Sequence, residues 1–545
     1  MEKSIQKREG PSSRFAAGRN AYLIIGLMLL AVLVTRMLTL THNMGMHPDE
    51  FVFFYSSESL AHKLLGIADQ YTEVKEYPEG AFVFQAPFHM AAWLLQKVTG
   101  RSLYIQTVGR LSAVFYFLAA AGFGGSILER WFPKRKWSLP IYALTVTFSL
   151  IHMEQSRYGT ADAISACLLM ALVLFCASAQ DSAGTQAIIA RLLAASFTAG
   201  ALSAVKYPLV FFFILPIVTA LRSTRKGKTS TRAFLLSGMA ILMVMAFFIC
   251  SPKAAADPMY VVRVIQKEMG NYVAAGNLCE VGGPWNHLLS VILYLTLYSG
   301  FPLASVFLVT SGVREIKRSP AADEKGALFN KIIPCALLVF LFYNLFSTTL
   351  FMRSIYPFFC LSDLYVASEA ARWIEEKGTK KRVVLVLLTF LLVRGGYHTA
   401  ALTEKRGTER LNEMILTAAS DNWQHTILLG PGYFLPFDDG LLTDPEAWDT
   451  DDARYRTEEA LKLNPGDMVL CATQEHSRNN PYFFPTHYPV ANLQIERWQT
   501  FKTVNKAFYK GQVYPEHYYW LFGYWIKGTT GTDYEFPSNR LYYCG

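Results

Sequence analysis

The sequence predicts a multi-span α-helical integral membrane protein with about eleven transmembrane helices and a C-terminal extracytoplasmic domain of α/β or α+β class. Three observations predict this fold class. Hydrophobic residues make up 52% of the 545 residues and charged residues only 17%, which is too apolar for an ordinary soluble enzyme. Apolar runs close to the length that spans a bilayer recur along the chain. Lysines and arginines are concentrated in short segments between these runs.

Each apolar run is interpreted as one membrane-spanning helix. The predicted spans are 21–40, 104–128, 139–153, 161–178, 191–205, 208–221, 233–250, 288–310, 332–350, 355–371 and 383–398. A basic arm over 1–20 precedes the first span, and no small-residue cleavage site follows it, so we expect an anchor rather than a cleaved signal peptide. The transmembrane domain is therefore expected over 21–398 and the C-terminal domain over 399–545.

Orientation follows from the basic segments between the spans. These segments lie at 130–136, 222–232, 314–331 and 372–382. With eleven spans they share one side with the N-terminal arm, and the positive-inside rule makes that side cytoplasmic. The other side receives the first outer loop over about 41–103, a loop over 251–286 and the tail. We expect a bacterial plasma-membrane protein, and the net charge of +9 needs no nucleic-acid partner.

The first outer loop contains two amphipathic segments, 51–65 and 81–98. Helices of this kind fit the plane of the membrane interface, where a lipid head group would enter. The alternative is that 81–98 crosses the membrane, which would change the number of spans.

Charged residues mark one end of the predicted helix bundle. The pair Asp49-Glu50 follows the first span, and His47 comes just before it. Other charged residues at predicted outer helix ends are Glu154, Arg157, Asp162, Lys206 and Arg353. A charge at the centre of a membrane helix costs roughly 2.5–3.5 kcal/mol. The grouping of these charged residues at one mouth of the bundle therefore predicts a polar cavity that opens to the outside.

Each of these residues also has a structural interpretation. Asp49 and Glu50 could cap a helix that begins near residue 51. Lys206 and Arg353 could reach lipid head groups at the interface. Arg157 and Asp162 could pair with each other.

The order of motifs resembles the GT-C glycosyltransferases, in the family 39-like branch that contains protein O-mannosyltransferases and aminoarabinose–lipid A transferases. The motifs that carry the resemblance are Asp49-Glu50, Ala86-Pro87-Phe88, Val108-Gly109-Arg110-Leu111, Arg157 to Asp162, Lys206-Tyr207-Pro208 and Arg353 to Phe358. Two departures stand out: Ala86-Pro87 replaces the family's two adjacent prolines, and Arg353-Ser354 replaces its Arg-Tyr.

The resemblance implies transfer of a sugar from a polyprenyl-phosphate donor to an acceptor hydroxyl on the outer face, with inversion. Asp49 is the candidate general base, because a neutral alcohol is a weak nucleophile. Glu50 could orient Asp49, contact the sugar or disfavour ionisation of Asp49 by like-charge repulsion. The candidate substrate-binding residues are His47, Arg157, Asp162, Lys206, Arg353 and Tyr356.

No cofactor is expected, because the resembled family generally works without a metal. The alternative is a divalent ion held by His47 with Asp49 and Glu50. The acceptor is left open between a protein, a lipid and an envelope glycan. The competing class is a transporter or flippase, against which the sequence shows neither an inverted repeat nor a pair of broken helices.

The tail after residue 398 loses the long apolar runs and gains turn signals. Strands are predicted at 426–429 and 467–472, and helices at 409–418 and 457–463. A disulfide between Cys471 and Cys544 could staple this domain, and the sequence leaves it open.

Overall fold

The fold is described from a computed structural model. It describes residues 11–38, 40, 48–72, 77–101, 103, 105–133, 135–182, 184–224, 229–274, 280–281, 284–297, 300–317, 331–346, 349–350, 352–376, 378–403, 426–429, 468–474, 498–500 and 537–544.

Helices account for most of the described chain. They are α1 (Pro11–Leu38), α2 (Pro48–Leu64), α3 (Gly80–Thr99), α4 (Ile105–Trp131), α5 (Ser138–Phe148), α6 (Leu150–Gln155), α7 (Ala161–Asp181), α8 (Thr185–Val205), α9 (Ile214–Ser223), α10 (Thr229–Ile249), α11 (Pro252–Ala256), α12 (Met259–Ala274), α13 (Pro284–Leu297), α14 (Ala304–Lys317), α15 (Ile333–Leu345), α16 (Tyr356–Glu375) and α17 (Thr379–Thr403). Two 3-10 helices, Tyr207–Phe213 and Met352–Ile355, precede α9 and α16.

A helix or a pair of helices is present at each of the eleven predicted spans. Among the described residues, five helices are long and apolar enough to cross a membrane. These lie at Asn20–Leu38, Thr107–Trp131, Ala161–Asp181, Thr185–Val205 and Thr229–Ile249. The remaining predicted spans coincide with shorter or more polar helices, so the predicted count of eleven crossings stays a prediction.

Two spans predicted as continuous are split. The run 139–153 is divided between α5 and α6 at Ser149, whose backbone is extended, with φ −70° and ψ 134°. The run 288–310 is divided between α13 and α14. The second break includes Gly300 and Leu303, with φ of 37° and 59°. Hydropathy does not detect such breaks, because the residues at them are as apolar or as small as their neighbours. The sequence-based argument against a transporter found no pair of helices broken at Gly or Pro in corresponding halves, and these two breaks were not expected from it.

The core forms around α7, where 83% of the apolar span is buried. Small residues allow its neighbours to approach closely, as is usual between membrane helices. At Gly200 in α8, a Cβ atom would overlap the backbone of Met243 in α10. This close packing fixes the position of the C-terminal end of α8.

Helices α2 and α3 begin slightly before the positions predicted from the sequence, at 48 and 80 rather than 51 and 81. Gly80, the first residue of α3, lies directly on the backbone of Ala204 and Val205 at the end of α8, where a side chain would not fit. Helices α2 and α3 therefore pack against the end of the bundle that contains the C-terminal end of α8.

The tail contains a four-stranded sheet of β3 (Thr426–Leu429), β4 (Met468–Gln474), β5 (Trp498–Thr500) and β6 (Pro537–Cys544), in the order β3-β4-β6-β5. β3 and β4 are parallel, and the other pairs are antiparallel. A short antiparallel pair, β1 (Glu280–Val281) and β2 (Thr349–Leu350), lies elsewhere in the chain.

The predicted strands 426–429 and 467–472 are present as β3 and β4, whereas the predicted helices 409–418 and 457–463 lie outside the described residues. The register pairs Cys471 with Arg540, which puts Cys544 four residues further along β6. At about 3.4 Å per residue this separation is about 14 Å, too far for a disulfide. The pairing of Cys471 with Cys544 considered from the sequence is therefore inconsistent with the strand register.

Candidate active site

The acidic pair lies in the first turn of α2, since the helix begins at Pro48. Glu50 is fully buried, and both of its carboxylate oxygens are bonded. Arg110 donates from Nε to Oε1 at 3.0 Å and from Nη2 to Oε2 at 2.9 Å. The Gly159 amide donates to Oε1 at 2.8 Å. Such a bidentate buried pair fixes geometry strongly, so Glu50 anchors the turn that carries Asp49.

A second contact holds α2 through its Phe54 ring. Phe54 is buried where α4 and the 156–160 segment, here called the site loop, approach each other. A Cβ atom at Gly109 of α4 would overlap the ring, and so would one at Gly159 of the site loop. The two glycines therefore permit α2 to pack against both elements at the level of Glu50.

The site loop is held from several sides. The Gln85 side chain of α3 donates to the Gly159 carbonyl at 2.8 Å, and Ser57 of α2 donates to Gln85 at 3.2 Å. Arg157 is buried and donates from Nε to the Met153 carbonyl at 2.8 Å. The loop thus joins α2, α3 and α6 in one polar cluster.

Asp162 and Lys206 form an ion pair at the adjoining ends of α7 and α8. Thr160 donates to the same carboxylate at 2.7 Å. Asp162 is thus paired with Lys206 and not, as one reading of the sequence had it, with Arg157. The Lys206 side chain is 19% exposed and Asp162 only 5%, so the ammonium group lies on the open side of the pair.

Tyr356 contacts a buried histidine that the sequence did not single out. Its hydroxyl lies 2.8 Å from His152 Nδ1, and His152 Nε2 lies 2.5 Å from Asp363 Oδ2. From the sequence, Arg110 was named only within a motif and given no role, and His152 and Asp363 were not named at all. The available signal was that each is a polar residue within an apolar run, and such residues in membrane helices usually pair.

The remaining predicted residues are placed less completely. His47 lies outside the described residues. Arg353 lies in the 3-10 helix Met352–Ile355, just before α16 and just after β2. Within the part of the chain that the structure describes, no group of three or more His, Cys, Asp or Glu residues is placed to hold a metal ion.

Burial shifts the pKa values of two side chains, one in α2 and one in α3. It raises the pKa of Glu58 in α2, an effect that His62 partly opposes. It lowers the pKa of His89 in α3 to about 4, with a further contribution from the charge of His62. His89 is therefore neutral near pH 7 and does not supply a positive charge to this region.

Comparison with solved structures identifies the fold. ArnT from Cupriavidus metallidurans, solved with undecaprenyl phosphate bound, matches with a TM-score of 0.50 and 12% sequence identity, over 83% of this chain and 92% of ArnT. The chain has an ArnT-like fold. An oligosaccharyltransferase from Archaeoglobus fulgidus, solved with zinc and sulfate, matches with a TM-score of 0.44 and 12% identity, over 77% of this chain and 58% of that one.

No family model matches the sequence, and no curated protein does. The likeness to ArnT agrees with the fold that the motif resemblance implies. At this identity the likeness concerns the fold. The chemistry has to be argued from the residues of this chain.

Proposed function

We propose that the protein is a membrane glycosyltransferase that moves a hexosyl or pentosyl group from a polyprenyl-phosphate donor to an acceptor hydroxyl on the outer face of the membrane. The observation that carries the proposal is the anchoring of Asp49. Through Glu50, its helical turn is fixed to α4 by Arg110 and to the site loop, which also carries Arg157, by the Gly159 amide. The Asp162–Lys206 pair follows directly after that loop.

The proposed reaction is a displacement at the anomeric carbon of the donor. Asp49 accepts the proton of the acceptor hydroxyl as its oxygen forms a bond to the anomeric carbon. The bond from the anomeric carbon to the phosphate oxygen breaks on the opposite side, which inverts the configuration and releases the polyprenyl phosphate. Glu50 does not compete as a base, because Arg110 and Gly159 occupy its oxygens.

The leaving phosphate needs positive charge nearby, because negative charge develops on it as the bond breaks. Lys206, Arg157 and Arg353 are the candidates, and His47 and Tyr356 complete the proposed substrate contacts. No metal is included. ArnT supports the choice of donor, since it was solved with a polyprenyl phosphate bound and has the same fold. The sugar and the acceptor, whether protein, lipid or envelope glycan, are not assigned.

The test is transfer from radiolabelled polyprenyl-phosphate sugars by the purified protein in detergent. We expect wild type to move label to an acceptor or to release free sugar. Asp49→Asn should lose activity by a factor of about 100 or more, since general base catalysis contributes about 10²–10⁴-fold. Asp69→Asn is the matched control, because Asp69 lies in the same loop region and is exposed.

Three results would contradict parts of the proposal. Near-normal turnover by Asp49→Asn would remove Asp49 as the base. Loss of wild-type activity on chelation would show that a metal takes part. A panel of donors from which wild type releases no label would contradict the enzyme class itself.

A transporter or flippase is the second candidate, and the split helices favour it. Discontinuous helices that meet at buried ionisable groups are common in transporters, and the break at Gly300 lies against Asp363. Reconstituted vesicles with a fluorescent polyprenyl-phosphate lipid test this function. Movement of lipid between leaflets by both wild type and Asp49→Asn would favour it over glycosyl transfer.

A further inference from the structure

A second buried polar cluster lies behind the candidate site. His152, Tyr356 and Asp363 are at most 3% exposed, and both nitrogens of the His152 ring are bonded. An ionised carboxylate only accepts hydrogen bonds, so Nε2 of His152 donates to Asp363. In the neutral ring, Nδ1 then accepts from the Tyr356 hydroxyl. The Phe117 ring lies against the imidazole, with centroids 5.3 Å apart.

The position of Asp363 is itself fixed by the break between α13 and α14. A Cβ atom at Gly300 would overlap the Asp363 carboxylate. Gly300 has φ of 37° and Leu303 has φ of 59°, and both values interrupt the helix. The break thus makes space for the carboxylate that holds His152.

His152 lies in α6, which has only six residues. A helix this short has little stability of its own, so its contacts decide its orientation. The Ser156 amide donates to the His152 carbonyl at 3.1 Å. Arg157 donates to Met153, one residue after His152, at 2.8 Å. The site loop therefore continues directly from the turn that His152 holds.

Arg36 of α1 holds the other side of the same break. It is fully buried and donates to the Val146 and Thr147 carbonyls at 2.9 and 3.0 Å, at the end of α5. Its Nε donates to the Ser156 hydroxyl at 2.6 Å. A cation at the C-terminal end of a helix is electrostatically favourable. Together Arg36 and His152 fix both ends of the interruption at Ser149.

We propose that His152, held by Asp363 and Tyr356, is a positioning residue that fixes α6 and the site loop so that Gly159 meets Glu50 and the turn with Asp49 is set for transfer. This role rests on the proposed glycosyl transfer. The path runs from Asp363 through His152 and α6 to Gly159, and every step on it is a hydrogen bond or a short helical turn. His152 itself touches neither donor nor acceptor.

The test compares His152→Leu, Asp363→Asn and the double variant with wild type. A misplacement of about 1 Å can cost about 100-fold in rate. We therefore expect kcat to fall about tenfold or more, with the KM for the donor little changed. The double variant should be no slower than His152→Leu alone, because the two residues act as one unit. His287→Gln is the control: His287 is fully buried and bonded to the Leu345 carbonyl, away from α6.

Hydrogen exchange of the site-loop amides gives a readout that does not need activity. His152→Leu and Asp363→Asn should speed exchange at 156–160, whereas His287→Gln should not. Asp363→Asn keeps the side-chain volume and carries the test if His152→Leu does not fold. Unchanged exchange in the loop, unchanged kcat, or a uniform rise in exchange across the chain would each overturn the positioning role. If wild type transfers no sugar, the proposed function fails, and exchange alone decides whether His152 fixes the loop.

Discussion

At the scale of single residues, the buried pair of Glu50 and Arg110 is the contact on which the candidate site depends most. Breaking a buried ion pair by removing one partner typically costs about 3–5 kcal/mol, because the other charge stays buried. We expect Glu50→Gln to lower the melting temperature in detergent and to abolish transfer. Glu50→Leu combined with Arg110→Met should recover much of the stability but not the activity, since the turn of Asp49 loses its anchor.

The exposed pair of Asp257 and Arg263 is the control for this prediction. Its side chains are 49% and 48% exposed, and the oxygen–nitrogen distance is 2.8 Å. Exposed pairs contribute little to stability, so Arg263→Gln should leave the melting temperature and the activity nearly unchanged. An equal loss of stability in Arg263→Gln and Glu50→Gln would contradict the special role of the buried pair.

The sequence placed Asp49 and Glu50 at one mouth of the bundle, but it did not identify the partner of Glu50. Several cations were available, among them Arg157, Lys206 and Arg353. The choice of Arg110 depends on which helix lies beside the start of α2, and no local pattern contains that information. For the same reason the partner of Asp162 was not predictable, because α7 and α8 meet there only in the folded bundle.

At the scale of elements, the packing of α2 depends on two glycines. Gly159→Ala and Gly109→Ala would each push a methyl group into the Phe54 ring. Overpacking of this kind costs about 1–3 kcal/mol, and the displacement of α2 should lower kcat further. Phe54→Leu in combination with Gly159→Ala should restore part of the stability and part of kcat, because the smaller side chain leaves room for the methyl group.

Gly238→Ala in α10 is the matched control, because nothing lies within 4 Å of a Cβ atom there. Alanine is favoured over glycine inside a helix by about 0.5–1 kcal/mol, so this variant should be as stable as wild type or slightly more so. The melting temperature measures the effect of each variant on stability, and donor turnover measures its effect on kcat. Gly159→Ala with normal turnover would show that α2 tolerates displacement.

The positions of the helices were largely predictable and their interruptions were not. The structure has a helix or a pair of helices at each of the eleven apolar runs that were predicted to cross the membrane. The break at Gly300, however, is fitted to a carboxylate in α16, more than sixty positions away along the chain. Averaging hydropathy along one segment cannot reveal a contact with another.

At the scale of the whole molecule, α16 extends from one end of the bundle to the other and makes polar contacts at both. Its 20 residues extend about 30 Å, the thickness of a bilayer core. Tyr356 at its start bonds to His152 near the site loop. Near its other end, Arg135 donates to the Ser368 carbonyl at 2.7 Å, and Arg314 pairs with Glu369 at 2.5 Å. Arg372 pairs with Glu369 as well. Three of the basic segments used to predict orientation therefore meet at the end away from the candidate site.

The outer segments meet in the same way at the opposite end. The Lys253 amide donates to Glu79 at 2.7 Å, and its ammonium group lies 4.9 Å from the Tyr71 ring. The first outer loop and the loop after α10 are thus in contact. These contacts group the segments at two ends of the bundle, as the positive-inside rule does.

Cysteine labelling decides the orientation. In a variant whose Cys279, Cys335, Cys471 and Cys544 are changed to Ser, a membrane-impermeant maleimide should label Asp69→Cys in intact cells, because the first outer loop is expected outside. Lys136→Cys should react only after permeabilisation, since it lies in a basic segment. Both positions are exposed, so reactivity reports sidedness rather than burial. The reverse pattern would place the candidate site on the cytoplasmic face, where the proposed transfer on the outer side could not occur. Labelling of both from one side would contradict an odd number of crossings between the two positions.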